Sequence, residues 1–223
     1  MEHWRQNTIW FEQIPNDQFI QLDLKKEKLT NHNIQDIEYL ALWYHKNKTR
    51  DLSNIPASSR LLYLELNWSN IHNLNAIDRY SNLKRLELHY CTKLQNDSGL
   101  SNISKTLEHL HINQSKKLEI SVELLSLKNL RVLCLNDCGQ LENLTFLKEF
   151  PNLIDFRFVN TSVLDGDLVP IVEHPTLRTV GYLNKRHYNI RENELESKLK
   201  EKGSNNYKEV IYRDENSTFK YLD

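Results

Sequence analysis

The chain has 223 residues, with 29 Lys and Arg against 30 Asp and Glu, and 39% of its residues are hydrophobic. A net charge of −1 excludes a general nucleic-acid binder, which shows a basic excess, and the supply of Leu and Ile excludes wholesale disorder. No run of 18 apolar residues is available to cross a membrane. Residues 1–10 carry Glu2, His3, Arg5 and Gln6 where a signal peptide needs an apolar core, so a cytoplasmic chain of one domain, at most two, is expected.

Residues 1–18 contain Trp4, Trp10, Phe11 and Ile14, which suit an N-terminal cover. From Phe19 onward a repeat takes over. Leu83–Leu94 reads LKRLELHYCTKL and Leu130–Leu141 reads LRVLCLNDCGQL, both L-x-x-L-x-L-x-x-C-x-x-L. Leu107–Leu118 fits with Ser115 in the cysteine slot, and Leu153–Leu164 fits with Phe156, Phe158 and Thr161 as substitutes. Weaker units start at Phe19, Ile37, Leu61 and Leu177. The starts fall at 19, 37, 61, 83, 107, 130, 153 and 177, with gaps of 18, 24, 22, 24, 23, 23 and 24. Residues 189–203 read as a helix with Asn189 as cap, acidic residues early, Lys198, Lys200 and Lys202 late, and Gly203 as terminator. KEVIYRD, the turn ENS and TFKYL then read as a closing hairpin.

This pattern resembles the leucine-rich repeat superfamily, and its repeat length and the Leu144–Leu153 spacer resemble the short bacterial, internalin-like class. Within each unit, alternation gives a strand with one buried face, and the small ninth residue (Cys91, Ser115, Cys138, Thr161) sits where the chain turns inward. One unit cannot bury its own leucines, so the units stack. The expected fold is α/β: a solenoid with about eight parallel strands on its concave face and short helices or turns on the convex side. Its parts are an N-terminal cap at 1–18, repeats at 19–188, and a helix-plus-hairpin cap at 189–223.

The third, fifth and seventh residues of each unit then point out of the concave sheet, and the eighth lies at its rim. Tyr39, Trp43, Tyr44, Tyr63, Trp68 and Tyr90 come from three consecutive units and form one aromatic patch, with Glu65, Arg85 and Glu87 beside it. In the alternative, Tyr44, Trp68 and Tyr90 fold over the rim and only seal the edge. His89, His109 and His111 with Glu87 approach zinc geometry, but polar residues are expected at all of these positions, so neither metal nor cofactor is expected. No G-x-S-x-G, P-loop or Gly-rich cofactor loop occurs, and Cys134, expected to face solvent, has no orienting carboxylate, so no catalytic residue is assigned. Cys91 and Cys138 lie two repeats apart, beyond disulfide reach. Asn67, Asn113, Asn143 and Asn160 head Asn-x-Ser/Thr triplets, which reflect an Asn-rich composition rather than glycosylation.

The expected function is recognition of one protein partner on the concave face by a chain that is monomeric by itself. The twelve expected contact residues are Tyr39, Trp43, Tyr44, Tyr63, Glu65, Trp68, Arg85, Glu87, His89, Tyr90, His109 and His111. The resemblance implies, as a specific role, a bacterial immunity protein inhibiting a cognate toxin, with Glu65 and Glu87 suited to a basic active site. A cytosolic scaffold or regulatory adaptor and a host-directed effector are the alternatives.

Overall fold

A computed structural model describes residues 16–203 and the two strands of a hairpin, Tyr207–Arg213 and Asn216–Tyr221. The expected cap at 1–18 therefore lies almost wholly outside the described residues. Eight strands form one open sheet in chain order: β1 Phe19–Asp23, β2 Tyr39–Trp43, β3 Tyr63–Asn67, β4 Arg85–His89, β5 His109–Asn113, β6 Val132–Asn136, β7 Asp155–Arg157 and β8 Thr179–Gly181. Every neighbouring pair is parallel. The fold is a leucine-rich-repeat solenoid. Strands β2 to β6 occupy positions three to seven of their units, as the alternation requires. The return segments are short: 3₁₀ turns such as Ile77–Arg79 and Leu100–Ile103, and the brief helices α1 Val122–Leu125 and α2 Val169–Glu173.

The first unit departs from expectation. Phe19 pairs with Tyr39 and Gln21 with Ala41, so Phe19 stands in the third-position lane and the unit begins two residues earlier than its leucines suggest. Ile20 and Leu22, rather than Leu22 and Leu24, fill the inward strand positions.

One continuous core runs through the stack, built from the fourth and sixth residues of each unit together with convex-side residues such as Ile77, Tyr80, Leu100, Ile103, Leu147 and Phe150. Polar side chains tie successive units together. The ninth residue hydrogen-bonds a carbonyl one or two turns of chain earlier: Ser115 Oγ donates to Cys91 O and Thr161 Oγ1 to Leu135 O, while the Cys91 and Cys138 thiols lie against Leu66 O and Ile112 O. On the opposite side Asn82, Asn129 and Asn152 each donate from Nδ2 to a carbonyl of the preceding unit, those of Ser59, Lys105 and Lys128. Gly99 is required where it stands: its φ is +104°, and a Cβ there would lie 2.4 Å from the Leu74 carbonyl oxygen.

The C-terminal helix α3 is Glu192–Glu201, with Leu195 and Leu199 buried and Gly203 at φ +109° just beyond it. Asn189 does not cap it. Its side chain instead accepts from the Leu168 N–H and donates to Asp167, and Arg191 occupies the cap position. Strands β9 Tyr207–Arg213 and β10 Asn216–Tyr221 pair antiparallel as a separate two-stranded sheet.

Candidate functional site

The concave face of β2 to β5 carries a dense set of aromatic and ionisable residues, set there by strand alternation. The third-position lane is a stack. The Phe19 ring tilts on Tyr39 at 4.4 Å between centroids, Tyr39 and Tyr63 lie parallel at 4.0 Å, and the Arg85 guanidinium sits over the Tyr63 ring at 4.4 Å. Each step follows from the register, which places Phe19, Tyr39, Tyr63 and Arg85 side by side.

Two carboxylates anchor the fifth-position lane. Glu65 accepts from the Tyr39 hydroxyl at 2.7 Å, from Tyr63 at 3.3 Å and from Asn67 Nδ2 at 2.6 Å. Glu87 Oε1 takes Arg85 Nε at 2.7 Å and also Nη2, and Oε2 takes His89 Nε2 at 2.8 Å. Burial alone would raise the Glu87 carboxyl, but the Arg85 charge and the His89 contact hold it well below the usual carboxylate range. Further along, the Arg157 guanidinium forks onto Asp155.

These side chains are not solvent-facing, which corrects the expectation. Tyr39, Tyr63, Glu65, Arg85, Glu87, His89, His109 and His111 are all buried, and so is Cys134. Burial pushes the Cys134 thiol well above its ordinary value, so it has no thiolate character at neutral pH. The two glutamates are engaged by neighbouring side chains, so neither is presented toward a basic active site. The tyrosines do not reach the leucine core. They form their own small apolar cluster with Ala41 and Phe19 on the concave side.

The rim behaves differently. The eighth residues Tyr44, Trp68, Tyr90, Gln114, Asp137 and Asn160 all have positive φ, between 48° and 61°. Each turns the chain out of its strand in the left-handed region, which favours Gly or Asn and costs an ordinary L-residue about 1–2 kcal/mol. Three consecutive units nevertheless place an aromatic ring there. Trp68 and Tyr90 stack at 4.4 Å with planes 2° apart, and Trp68 remains 46% exposed. Tyr44 lies under the Lys25 ammonium, 3.5 Å from the ring centroid, and Trp43 is half-buried with its indole N–H closed off and unpaired. The rings therefore do not simply fold over the edge. Only Asp137 and Asn160 are residue types that mark a left-handed backbone, so the sequence does not flag it at Tyr44, Trp68 and Tyr90.

Among the described residues, the atoms of Glu87, His89 and His111 that could serve as metal ligands lie within 4.8 Å of one another. Their hydrogen bonds do not suit a metal. Asn136 Oδ1 accepts from the Val159 N–H, which fixes the amide so that Nδ2 faces His111 Nε2 at 3.2 Å. The imidazole proton then sits on Nδ1, the atom a metal would need, 3.9 Å from Glu87 Oε2. Arg85 already draws on the same carboxylate. The cluster reads as an ion and hydrogen-bond network.

No family model matches the sequence, and no curated protein does. Among solved structures, an internalin from Listeria monocytogenes aligns over 72% of this chain and 47% of its own, at 16% identity and a TM-score of 0.49. The chain thus spans about half the length of that protein. Internalin C2 from the same organism aligns over 67% of this chain and 73% of its own, at 20% identity and a TM-score of 0.44. At these values the likenesses add nothing about the site, and the fold rests on the repeat register and the strand order of the chain itself.

Proposed function

We propose that the chain is a non-catalytic protein-recognition module that takes one protein partner on the concave side of β2 to β5. Trp43, Tyr44, Trp68 and Tyr90 make the first contact at the rim. Tyr39, Tyr63, Glu65, Arg85, Glu87, His89, His109 and His111 form the floor that sets the rim's shape. The carrying observation is the Trp68–Tyr90 stack: two large rings held at an energetically costly backbone, with Trp68 46% exposed. Strain of this kind clusters at functional sites, and exposed Trp and Tyr are the residue types enriched at interface hot spots. The protonated thiols, Cys91 and Cys134 buried and Cys138 half-buried, and the engaged carboxylates support action by binding rather than by chemistry.

The specific form we propose is an immunity protein that inhibits a bacterial toxin, since a module acting by occupancy inhibits what it occupies. Its support is the likeness of the sequence to short bacterial repeats. The test is capture of the partner from the source organism with the wild-type chain and with Trp68→Asn as control. Recovery of one enzyme or toxin, lost with the variant, and relief of that toxin's lethality on co-expression are the expected results. Several partners held together would make the chain a scaffold, and equal capture by the variant would move the interface off the rim.

A further inference from the structure

Just past the rim the chain turns away from the sheet, and the turns of units two to five carry a strip of positive charge. Lys46, Lys93 and Lys117 follow the rim residues Tyr44, Tyr90 and Gln114 by two or three positions, and all three lysines are exposed. Backbone bonds hold these turns in register: the His72 N–H donates to Arg50 O at 2.7 Å, Gln95 to His72 O at 2.9 Å and Glu119 to Gln95 O at 2.8 Å. Arg50 Nη1 donates to His72 Nε2 at 2.8 Å, which makes that nitrogen an acceptor and the imidazole neutral. Partial burial, then the charges of Arg50, Lys93 and Lys117, hold His72 below its ordinary value, so three units contribute to one positive field. Among the described residues no carboxylate pairs with Lys46, Arg50, Lys93 or Lys117, and the Asp51 carboxylate is turned onto Asn47, Thr49 and Ser53 of its own loop. The lane changes sign along the solenoid. Where units two and three place Arg50 and His72, units five to seven place Glu119, Glu142 and Asp165, all exposed, and the Asp165 N–H donates to Glu142 O at 3.2 Å.

We propose, on the reading of the chain as a protein-recognition module, that this strip and the Trp68–Tyr90 stack beside it take a short acidic segment of the partner. Units two to five span three strand spacings, about 14 Å, the length of about four extended residues. Carboxylates of such a segment lie along Lys46, Lys93 and Lys117, while an apolar residue between them covers the exposed part of Trp68. The lysine charges, screened at the surface, steer and orient the segment, and the rings supply most of the affinity. Glu119, Glu142 and Asp165 repel anything acidic that runs on toward unit seven, which fixes where the segment stops. A nucleic-acid strand fits worse, because its evenly spaced phosphates would continue onto those carboxylates.

The probe is a capped Glu-Glu-Leu-Glu-Glu peptide, titrated into the full-length chain at low salt and followed by NMR. It should shift the Trp68 indole signal and the side-chain signals of Lys93 and Lys117, and the shifts should vanish as salt is raised. Lys93→Glu combined with Lys117→Glu should weaken binding about tenfold or more, whereas Lys105→Glu combined with Lys148→Glu, at two exposed lysines elsewhere, should change it less than about twofold. All four positions are exposed, so cooperative unfolding should persist in both variants. No shift at Trp68, Lys93 and Lys117, or equal binding of a capped Lys-Lys-Leu-Lys-Lys peptide, overturns the proposal. Tighter binding of oligothymidylate than of the acidic peptide overturns it in favour of a nucleic-acid strand. Self-association of the wild-type chain that is abolished by the Lys93 and Lys117 substitutions overturns it in favour of a second copy. None of these results touches the capture experiment. A partner lost with Trp68→Asn but held by the Lys93 and Lys117 double variant would keep the recognition module and overturn the acidic segment alone.

Discussion

At the scale of the residue, the most consequential feature is a buried charge pair on a sheet face. Arg85 and Glu87 stand two positions apart on β4, both closed to solvent, and each is stabilised by the other. Removing one partner strands the other charge, so Glu87→Gln should cost about 3–5 kcal/mol in denaturant unfolding. Replacing both, as Arg85→Met with Glu87→Leu, should cost much less than Glu87→Gln alone, because no uncompensated ion remains. A double variant as unstable as the single would show that the pair holds more than its own charge. At the rim the deciding quantity is φ rather than charge. Trp68→Asn accepts a φ of 58° and should change stability by less than about 1 kcal/mol, the lost stacking offset by relief of strain. Trp68→Val places a β-branched residue in the same conformation and should cost about 1–3 kcal/mol. Equal effects of Asn and Val would mean that the left-handed backbone is not what sets the cost.

At the scale of the element, the strands were legible and their faces only half so. Spacing and alternation located β2 to β8, because a parallel stack requires the same leucines at the same step in every unit. The first strand was misplaced by two residues for a physical reason. A one-residue slip turns a strand inside out, whereas a two-residue slip keeps the same face inward, so FIQLDL offers two registers of equal hydrophobic quality. The Phe19–Tyr39 ring contact selects between them. The outward faces were assigned correctly as a surface lane but wrongly as wet, since alternation says which way a side chain points and nothing about what lies over it. The interior makes the element-scale prediction. Leu133 and Leu135 on β6 are fully buried, so Leu133→Ala or Leu135→Ala should each lower stability by about 2–5 kcal/mol, while Val122→Ala, at a residue 78% exposed, should be near neutral. Gly99→Ala should cost more than about 1 kcal/mol, because it joins a positive φ to a backbone clash with Leu74. Unchanged thermal unfolding in the β6 variants would mean that the strand register is wrong.

At the scale of the whole molecule, the buried histidines give the solenoid a definite response to acid. Burial pushes the His111 imidazole down to about 3. The neighbouring His89, Arg85 and Arg157 oppose its charging, and Glu87 at 3.9 Å only partly favours it. Burial likewise lowers His45, which bridges Ser69 and Asn54 between units, and His174, whose Nε2 meets the carbonyls of Leu147 and Phe150. In each case the folded value lies below the ordinary 6.5, so the unfolded chain binds more protons as pH falls through that value. The associated stability is complete above about pH 6.5 and drains away toward the folded values. Glu87 acts with the same sign lower down: its carboxyl is held below the ordinary 4.5, so its contribution is present above that pH and lost as the charge on it is titrated away. The unfolding free energy measured in urea should therefore be nearly flat from pH 8 to 7 and fall continuously from about 6.5 to 4. His111→Phe should flatten part of that slope, since the ring's shape is kept and its proton site removed. Stability that rises on acidification from pH 7 to 5 would contradict this account, because it would mean that the native state takes up protons on these imidazoles and that the floor is wet and ion-paired rather than closed.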